Sequence, residues 1–289
     1  MKIFFLENNR MKEKIKATIM IPAYNAERFI SQALKSALEQ TCKERYEILV
    51  VNDGSTDDTR GIIEFYKKRN PSLRLINQEN SGTSSARNKL LAESRGEILF
   101  GLDADDELGK LALEKVLSFF SNNSNVGMIY TDQAEMDKRG KKLRERKRSE
   151  CHIFFEDITY HCHFQGHLKS FRKEVVNGFR FNESLKSAVD WDFFLKLIPN
   201  INVKNIPEIL YSYRINESGI SFTKRSEVIQ NSIDIVKKYV SKRNLYRGKD
   251  FEVIPINVGE NIHYYDHLVD GKSTMKPEAK KVLLDYLKG

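Results

Sequence analysis

The sequence of 289 residues contains only three cysteines, Cys42, Cys151 and Cys162, which are scattered along the chain. An odd, scattered set does not make a disulfide framework and is typical of proteins from a reducing compartment. The sequence also lacks any apolar run near the roughly 18 residues that a membrane-spanning helix needs. The apolar stretch at residues 3–6 is too short for a secretory signal. These absences exclude disulfide-rich secreted scaffolds and predict a cytoplasmic location.

The chain has no internal repeat and no low-complexity linker, and its length is enough for one large domain or for a domain with an appendage. Acidic residues are outnumbered, 40 against 48 Lys and Arg, which gives a net charge of +8 and favours polyanionic partners. Basic residues are concentrated at residues 138–148, either as a solvated hairpin or as a contact surface for an anionic acceptor or membrane. This run lacks interleaved aromatic residues that would stack on bases, so we expect no nucleic acid partner.

Apolar runs of strand length alternate with helical patterns through the first part of the chain. The predicted strands are residues 17–22, 46–51, 73–76 and 97–102, with helices such as 26–38 and 84–93 between them. Strands and helices that alternate in this way predict βαβ units and an α/β fold with a mostly parallel, doubly wound sheet.

Each predicted strand is followed by a polar, turn-forming segment, and in such sheets ligands bind beyond the carboxyl ends of the strands. The segment after the fourth strand carries three carboxylates, Asp103, Asp105 and Asp106. Acidic groups this close repel one another, so we expect a divalent cation that carries a phosphate among them. The spacing of two puts Asp103 and Asp105 on one side of an extended segment. Asp106 is expected either to support them or to cap the helix predicted near residue 111.

Six short motifs occur in one order along the chain. They are IPAYN at 21–25, VVNDGSTDDT at 50–59, NSGTSSARN at 80–88, LDADD at 102–106, VDWD at 189–192 and YRINESGIS at 213–221. Together they resemble the family-2 glycosyltransferases of the GT-A fold, inverting enzymes of the bacterial polysaccharide type. The resemblance implies a Rossmann-like, mostly parallel sheet in a domain at residues 17–222. Its nucleotide-binding half would be 17–108 and its acceptor half 109–222, with a lead-in at 1–16 and a C-terminal, acceptor-side helical extension at 223–289.

The resemblance implies a UDP-sugar as co-substrate. The implied nucleotide contacts come from Pro22, Ala23, Tyr24, Glu27, Asp53, Asn80, Arg87, Asp103 and Ala104. Pro22, Ala23 and Tyr24 would wall the uracil and ribose. Asp53 would accept the uracil imide N–H, or make an Asx turn with Gly54. Glu27 would orient the base or ribose or serve as a first-turn acid of its helix, and Arg87 would approach the uracil or diphosphate or be an ordinary surface arginine.

The Asp-x-Asp motif would hold Mn²⁺ or Mg²⁺, which neutralises the departing diphosphate. Asp105 is the implied direct ligand, and Asp103 would contact the ribose or a metal-bound water. Many relatives have a histidine where Asn216 stands, and asparagine would bind a metal more weakly. His152, His161, His163 and His167, with Cys151 and Cys162, do not have the spacing of a zinc module.

Inversion at an anomeric carbon needs a base that takes the proton of the acceptor hydroxyl. Asp190 stands at the position that the resemblance gives to this base, although Val189 precedes it where relatives carry an acid. A carboxylate of pKa ~3.9 is ionised at neutral pH and can act without special tuning. Asp192 is the second candidate, and both could instead be first-turn acids of a helix. Trp191 is the predicted platform for a sugar ring, and Gln165 and His167 would line the sugar or acceptor side.

The sequence thus predicts an inverting enzyme that transfers a hexosyl or N-acetylhexosaminyl group from a UDP-sugar to a hydroxyl of a glycan or lipid-linked acceptor in surface polysaccharide biosynthesis. Its location would be the cytoplasm or the inner face of the cell membrane. One alternative is a non-catalytic nucleotide-sugar-binding scaffold, which Val189 and Asn216 favour. The other is a haloacid-dehalogenase-type phosphatase, since Asp103 and Asp105 are two residues apart, although that chemistry expects the pair after the first strand.

Overall fold

A computed structural model describes residues 14–147, 167–216, 223, 225–242, 251–256, 264–269 and 272–273. The strands of its larger sheet are β1 (Ala17–Ala23), β2 (Tyr46–Asp53), β3 (Leu73–Gln78), β4 (Ile98–Gly101), β5 (Glu107–Leu108), β6 (Val126–Met136), β7 (Lys142–Arg146), β8 (His167–Arg172) and β9 (Asn202–Arg214). The helices are α1 (Ile30–Leu38), α2 (Thr59–Lys67), α3 (Thr83–Glu93), α4 (Ala112–Asn122), α5 (Val189–Leu197) and α6 (Arg225–Lys242). Two short 3-10 helices cover Lys173–Val176 and Ile198–Asn200.

The larger sheet has the strand order β3-β2-β1-β4-β8-β6-β9-β5, with β7 paired to β6. The pairs β1–β2, β1–β4 and β2–β3 are all parallel, as the βαβ pattern predicts. The second half adds antiparallel pairs, because β8 runs opposite to both β4 and β6, and β5 runs opposite to β9. The sheet as a whole is therefore mixed, and β6 and β9 of the second half also run parallel to each other.

Alternate residues of the central strands face two separate apolar layers. Ile19 and Ile21 of β1 belong to the layer that includes α1, α2 and α4. Leu49 and Val51 of β2 belong to the opposite layer, with α3 and α5. Because both faces of the parallel strands are covered by helices, only the strand edges and ends remain for ligands.

The start of β4 lies very close to β1. The N–H of Gly96 donates to Thr18 Oγ1 at 2.8 Å, and a Cβ on Gly96 would lie 2.4 Å from the backbone of Ala17. Only glycine permits this approach. It lets β4 pair directly with β1. The segment that follows β4 at residues 103–106, called the acidic segment below, therefore emerges at the same edge as the carboxyl end of β1.

The described residues of the C-terminal part form one helix and a small sheet. Ile233, Val236 and Tyr239 of α6 pack against Trp191 and Leu195 of α5, so one face of this helix is buried. Beyond α6, the described residues form a three-stranded antiparallel sheet of β10 (Phe251–Ile256), β11 (Tyr264–Val269) and β12 (Lys272–Ser273). The extension predicted as helical at 223–289 is therefore helical in α6 and forms strands in this part. Of the helices that the structure describes, none combines the length and apolar character needed to cross a membrane.

Candidate active site

Side-chain hydrogen bonds join the loop after β1 to the loop after β2. Asn25, with φ of 47°, accepts the N–H of Thr56 at Oδ1 over 2.8 Å. Glu27 Oε2 accepts the N–H of Asp58 at 3.0 Å, and the N–H of Glu27 donates to Asp57 Oδ2 at 3.1 Å. Glu27 precedes α1, so it is not an acid of that helix's first turn. In the structure its carboxylate holds two loops together, and its contact with a base or ribose stays a prediction.

The three predicted wall residues are placed differently. Pro22 lines a small pocket at the carboxyl end of β1. The ring of Tyr24 is 51% exposed and is available to a ligand. Ala23 is 2% exposed, because its methyl group packs into the core with α1, so its side chain does not form part of a wall.

Asp53 is the residue that shapes the loop after β3. Its Oδ1 accepts from Gln78 Nε2 at 2.7 Å and from the N–H of Ser81 at 2.9 Å, and its Oδ2 accepts the N–H of Gly82 at 2.9 Å. Three hydrogen bonds to one buried carboxylate fix the entry to α3. The predicted bond to uracil stays a prediction, and it would be a further contact of the same carboxylate.

Gly54 lets the loops after β2 and β3 touch. Its φ is +68°, and a Cβ at this position would lie 2.5 Å from the backbone nitrogen of Asn80. Asn80 itself is exposed, and its contact with the nucleotide stays a prediction. Within this segment Asn52 Oδ1 accepts the N–H of Ser55 at 3.3 Å, whereas the Asp53 carboxylate accepts from Gln78, Ser81 and Gly82 rather than from its own turn.

Arg87 lies in α3 and points to the acidic segment. Its Nη2 is 3.2 Å from Asp103 Oδ1, and its guanidinium carbon is 5.6 Å from the ring centre of Phe181. The side chain of Arg87 is only 23% exposed. The alternative of an ordinary surface arginine is therefore wrong, and a cation stands beside the carboxylates as an anion-binding site requires.

The acidic segment is alternately half-buried and buried. Asp103 and Asp105 are the half-buried members, whereas Ala104 and Asp106 are buried. Ala104 packs into the core, so a ligand would meet its backbone rather than its methyl group. This alternation agrees with the prediction that Asp103 and Asp105 share a side.

Asp106 supports this segment from inside. Its Oδ2 accepts the hydroxyl of Tyr211 at 2.6 Å, and its Oδ1 accepts the N–H of Arg214 at 2.7 Å. Burial raises the pKa of Asp106 well above its usual range, and the charges of Asp105 and Asp103 add to this. Helix α4 begins only at Ala112, so the alternative role of Asp106 as a helix cap is wrong.

The oxygen donors here fit a divalent cation. Burial and the neighbouring charge of Asp103 raise the pKa of Asp105, a cost that a cation would offset. The amide Nδ2 of Asn216 lies 3.4 Å from Asp105 Oδ2, so its amide group is within reach of the same place. One ligand atom each of Asp103, Asp106 and His167 also lie within 4.8 Å of one another. Carboxylate-rich sets of this kind suit Mg²⁺ or Mn²⁺.

Two tyrosines on β9, Tyr211 and Tyr213, pack against the ring of His167 beside this site. The ring of His167 stacks on Tyr211 at 4.8 Å and lies 5.2 Å from Tyr213. Burial raises the pKa of both tyrosines, with a smaller contribution from Asp106, so their hydroxyls stay protonated. Tyr211 was not predicted as a site residue, although its spacing of two from Tyr213 is the strand signal that puts both rings on one face.

Asp190 lines the same pocket as Arg87, Asp103 and His167. It is in the first turn of α5, is 33% exposed, and has its Oδ2 3.4 Å from Lys169 Nζ. Asp190 and Asp103 therefore line one space, and the role of Asp190 as the base stays a prediction. Lys169 was missed, since it lies on a strand without a recognised motif.

Neighbours of Asp190 do not share this placement. Trp191 is 1% exposed and packs against α6, so it presents no ring face to a sugar, and its assignment as a platform is wrong. Asp192 is also 1% exposed, pairs with Lys196 and accepts the hydroxyl of Tyr239 at 3.0 Å. Asp192 is therefore a packing residue and no longer a candidate base. Gln165 and the His/Cys cluster that precedes His167 lie outside the described residues.

Comparison with known proteins identifies this arrangement. Residues 18–179 match the sequence model of the family described as Glycosyl transferase family 2. The chain belongs to glycosyltransferase family 2. It is 31% identical to an Escherichia coli chondroitin synthase over 83% of this chain and 36% of that protein. It is 27% identical to a Pasteurella multocida hyaluronan synthase over 87% of this chain and 26% of that protein. The chain thus spans between about a quarter and about a third of the length of these curated relatives.

Solved structures show the same fold. Residues 1–349 of Staphylococcus aureus TarS in complex with UDP-GlcNAc align with a TM-score of 0.61 at 21% identity, over 80% of this chain and 73% of that one. The mannosyltransferase PcManGT from Pyrobaculum calidifontis, in complex with GDP-Man and Mn²⁺, aligns with a TM-score of 0.60 at 18% identity, over 86% and 77%. The predicted GT-A fold is confirmed. Membership of this family also overturns the phosphatase alternative.

Proposed function

We propose that this glycosyltransferase is an inverting enzyme that transfers a hexosyl or N-acetylhexosaminyl group from a UDP-sugar to a hydroxyl of a glycan or lipid-linked acceptor. The observation that carries the proposal is the shared pocket, because Asp190 lines the same small space of about 100 Å³ as the Arg87–Asp103 pair. A candidate base thus lines one pocket with the groups that would hold a diphosphate. The names of the chondroitin, hyaluronan and teichoic acid relatives support surface polysaccharide biosynthesis as the setting.

The donor would lie along the carboxyl ends of β1 to β4. Tyr24 and Pro22 offer surfaces to the uridine, and Asp53 fixes the loop that would cover it. The UDP and UDP-GlcNAc complexes of TarS support a uridine nucleotide. Asp103 and Asp105 would hold Mn²⁺ or Mg²⁺, which when bound neutralises charge on the departing diphosphate. Arg87 would add a second positive charge at the same place.

Asp190 would accept the proton of the acceptor hydroxyl as that oxygen bonds to the anomeric carbon. The bond between the anomeric carbon and the diphosphate oxygen breaks, and UDP leaves with the electron pair. Attack from the side of Asp190, opposite the diphosphate, inverts the configuration. Lys169 Nζ lies 3.4 Å from Asp190 Oδ2 and would help to hold this carboxylate in place.

Release of UDP from a panel of nucleotide sugars, with and without Mn²⁺ and acceptor glycans, tests the donor. Asp190→Asn keeps the shape but removes the base, so we expect turnover to fall by about 10²- to 10⁴-fold with UDP affinity unchanged. Asp234→Asn, an exposed change on α6, is the matched control and should leave turnover unchanged. Near wild-type transfer by Asp190→Asn would refute the base. Binding of UDP without transfer to any acceptor would instead favour the scaffold alternative.

We further propose that the basic hairpin, residues 137–147, contacts an anionic membrane surface. Strand β7 pairs with β6 and is exposed along most of its length, and Leu143 on it is 52% exposed. Arg144 and Arg146 pair with Glu135 on β6, which leaves the positive charge of the turn to face solvent. An exposed apolar side chain amid lysines and arginines suits an anionic lipid surface.

A further inference from the structure

Arg214, at the end of β9, has a guanidinium group that is wholly buried and fully hydrogen-bonded. An arginine offers five side-chain N–H donors, and here each one has an acceptor. The acceptors are the carbonyl of Asp105 for Nε (2.7 Å), the carbonyls of Asp137 (3.1 Å) and Lys138 (3.3 Å) for Nη1, and Gln32 Oε1 (2.7 Å) and Glu107 Oε1 (2.8 Å) for Nη2. This saturation leaves no freedom in the placement of the group.

Three hydrogen bonds of Arg214 go to three consecutive residues, which are Asp105 and Asp106 of the acidic segment and Glu107 at the start of β5. Its Nε binds the backbone of Asp105, its own N–H binds the carboxylate of Asp106 at 2.7 Å, and its Nη2 binds the carboxylate of Glu107. The segment is thus held at backbone and side chain immediately around Asp105. The side chain of Asp105 is not itself a partner of the guanidinium, so it remains available to a ligand.

The other bonds of Arg214 go to two separate parts of the fold. Gln32 belongs to α1, and the guanidinium carbon also lies 4.9 Å from the ring centre of Phe29. Asp137 and Lys138 belong to the turn of the basic hairpin. The acidic segment is therefore fixed against a helix on one side and a hairpin on another. Groups that bind metal or substrate lose function when displaced by about 1 Å, so this anchoring has a functional consequence.

We infer that Arg214 is a positioning residue that holds Asp105 where its carboxylate binds the divalent cation. The inference rests on the proposed function, because it needs Asp105 to be a metal ligand. This role needs the planar guanidinium group with its five donors. A lysine has three donors on one atom and cannot reach acceptors in three directions.

The test compares Arg214→Lys with Arg172→Lys. Arg172, on β8, is a matched control, because it also donates to backbone carbonyls, those of Val126 (2.9 Å) and Phe120 (2.7 Å), but does not contact the acidic segment. Mn²⁺ binding in the presence of UDP is measured by electron paramagnetic resonance, and unfolding by urea. We expect Arg214→Lys to weaken Mn²⁺ binding by about 10- to 100-fold. Arg172→Lys should lower stability and leave Mn²⁺ binding unchanged, and neither change should alter UDP binding without metal.

Mn²⁺ binding by a folded Arg214→Lys equal to that of the wild type would overturn the inference. If Arg214→Lys does not fold, Gln32→Ala leaves one N–H of the guanidinium without its acceptor and should show a smaller loss of Mn²⁺ affinity. Unchanged affinity in Gln32→Ala would then overturn the inference in its place. If the wild type with UDP binds no Mn²⁺, the metal site of the proposed function fails and the inference falls with it.

Discussion

Replacing Tyr211 with phenylalanine removes one oxygen atom from beneath the acidic segment. The hydroxyl of Tyr211 donates to Asp106 Oδ2 at 2.6 Å and accepts the N–H of Asp103 at 3.3 Å. Phenylalanine keeps the ring that stacks on His167, so packing is little changed. The variant leaves the buried carboxyl of Asp106 with one partner fewer and the N–H of Asp103 without its acceptor.

The cost follows from these two bonds. A hydrogen bond to a charged group contributes about 1.5–3 kcal/mol, and a buried donor left unpaired costs about 1–3 kcal/mol. Because the second bond is long and its donor half-buried, we expect the free energy of unfolding to fall by about 2–4 kcal/mol in total. At about 2–4 °C per kcal/mol, the melting temperature should fall by about 4–16 °C.

Urea and thermal unfolding measure this loss, and Mn²⁺ binding with UDP reports whether the segment has moved. Tyr46→Phe is the control, since the Tyr46 hydroxyl lies away from the site and shares its proton between the backbone carbonyls of Ala37 (3.2 Å) and Leu38 (3.4 Å). We expect Tyr46→Phe to cost about 1 kcal/mol and to leave Mn²⁺ affinity unchanged. If Tyr211→Phe behaves like Tyr46→Phe in both measurements, Tyr211 does not support the acidic segment.

Two other changes test the loops and the hairpin. Gly54→Ala should weaken UDP binding and destabilise the protein, because its Cβ would meet Asn80. The loss should exceed the cost of left-handed backbone strain alone, which is about 1–2 kcal/mol. Gly178→Ala is the control for that strain, since Gly178 has φ +84° and open space around it. Replacing Lys138, Arg139 and Lys141 with glutamine should weaken co-sedimentation with anionic vesicles by about 100-fold, at about 1 kcal/mol per charge. The same change at the exposed Lys35, Lys67 and Lys89 should have little effect, and retained co-sedimentation of the hairpin variant would contradict the membrane contact.

The parallel half of the fold could be predicted because its signals are local. Apolar runs, helical periodicity and polar strand ends all occur within short windows, and β1 to β4 follow them with shifts of one or two residues. Strands β5 and β7 could not be predicted in this way, because β5 has two residues and β7 (KLRER) is almost wholly polar. Their pairing is set by the neighbours they meet in the folded protein. Helix α1 begins at Ile30 rather than at Ala26, because Ala26 starts a hydrogen-bonded turn that is tied to α2.

The site could be predicted as far as its motifs extend. Asp53, Arg87 and Asp103 were found because each stands in one of the motifs that carry the resemblance. Arg214 also stands in such a motif and Tyr211 lies just before it, but their contacts with the acidic segment join residues about a hundred positions apart, and spacing carries no information on such pairs. Trp191 was misassigned for a related reason, since α6 covers it and nothing in the sequence near α5 indicates this.

The three carboxylates of the acidic segment are compensated unequally, and this inequality predicts where a cation stabilises the fold. Asp106 has the Tyr211 hydroxyl and the Arg214 N–H, and Asp103 has the Arg87 guanidinium, whereas Asp105 has the amide of Asn216 at 3.4 Å. A ligand that binds only the folded state at 100 times its dissociation constant adds about 2.7 kcal/mol. With UDP and Mn²⁺, Asp105→Asn should lose most of that gain. Without metal, its free energy of unfolding should equal or exceed that of the wild type. Asp106→Asn should show the reverse, a less stable metal-free protein that still gains from Mn²⁺. Equal Mn²⁺-dependent gains in Asp105→Asn and the wild type would show that Asp105 does not bind the metal.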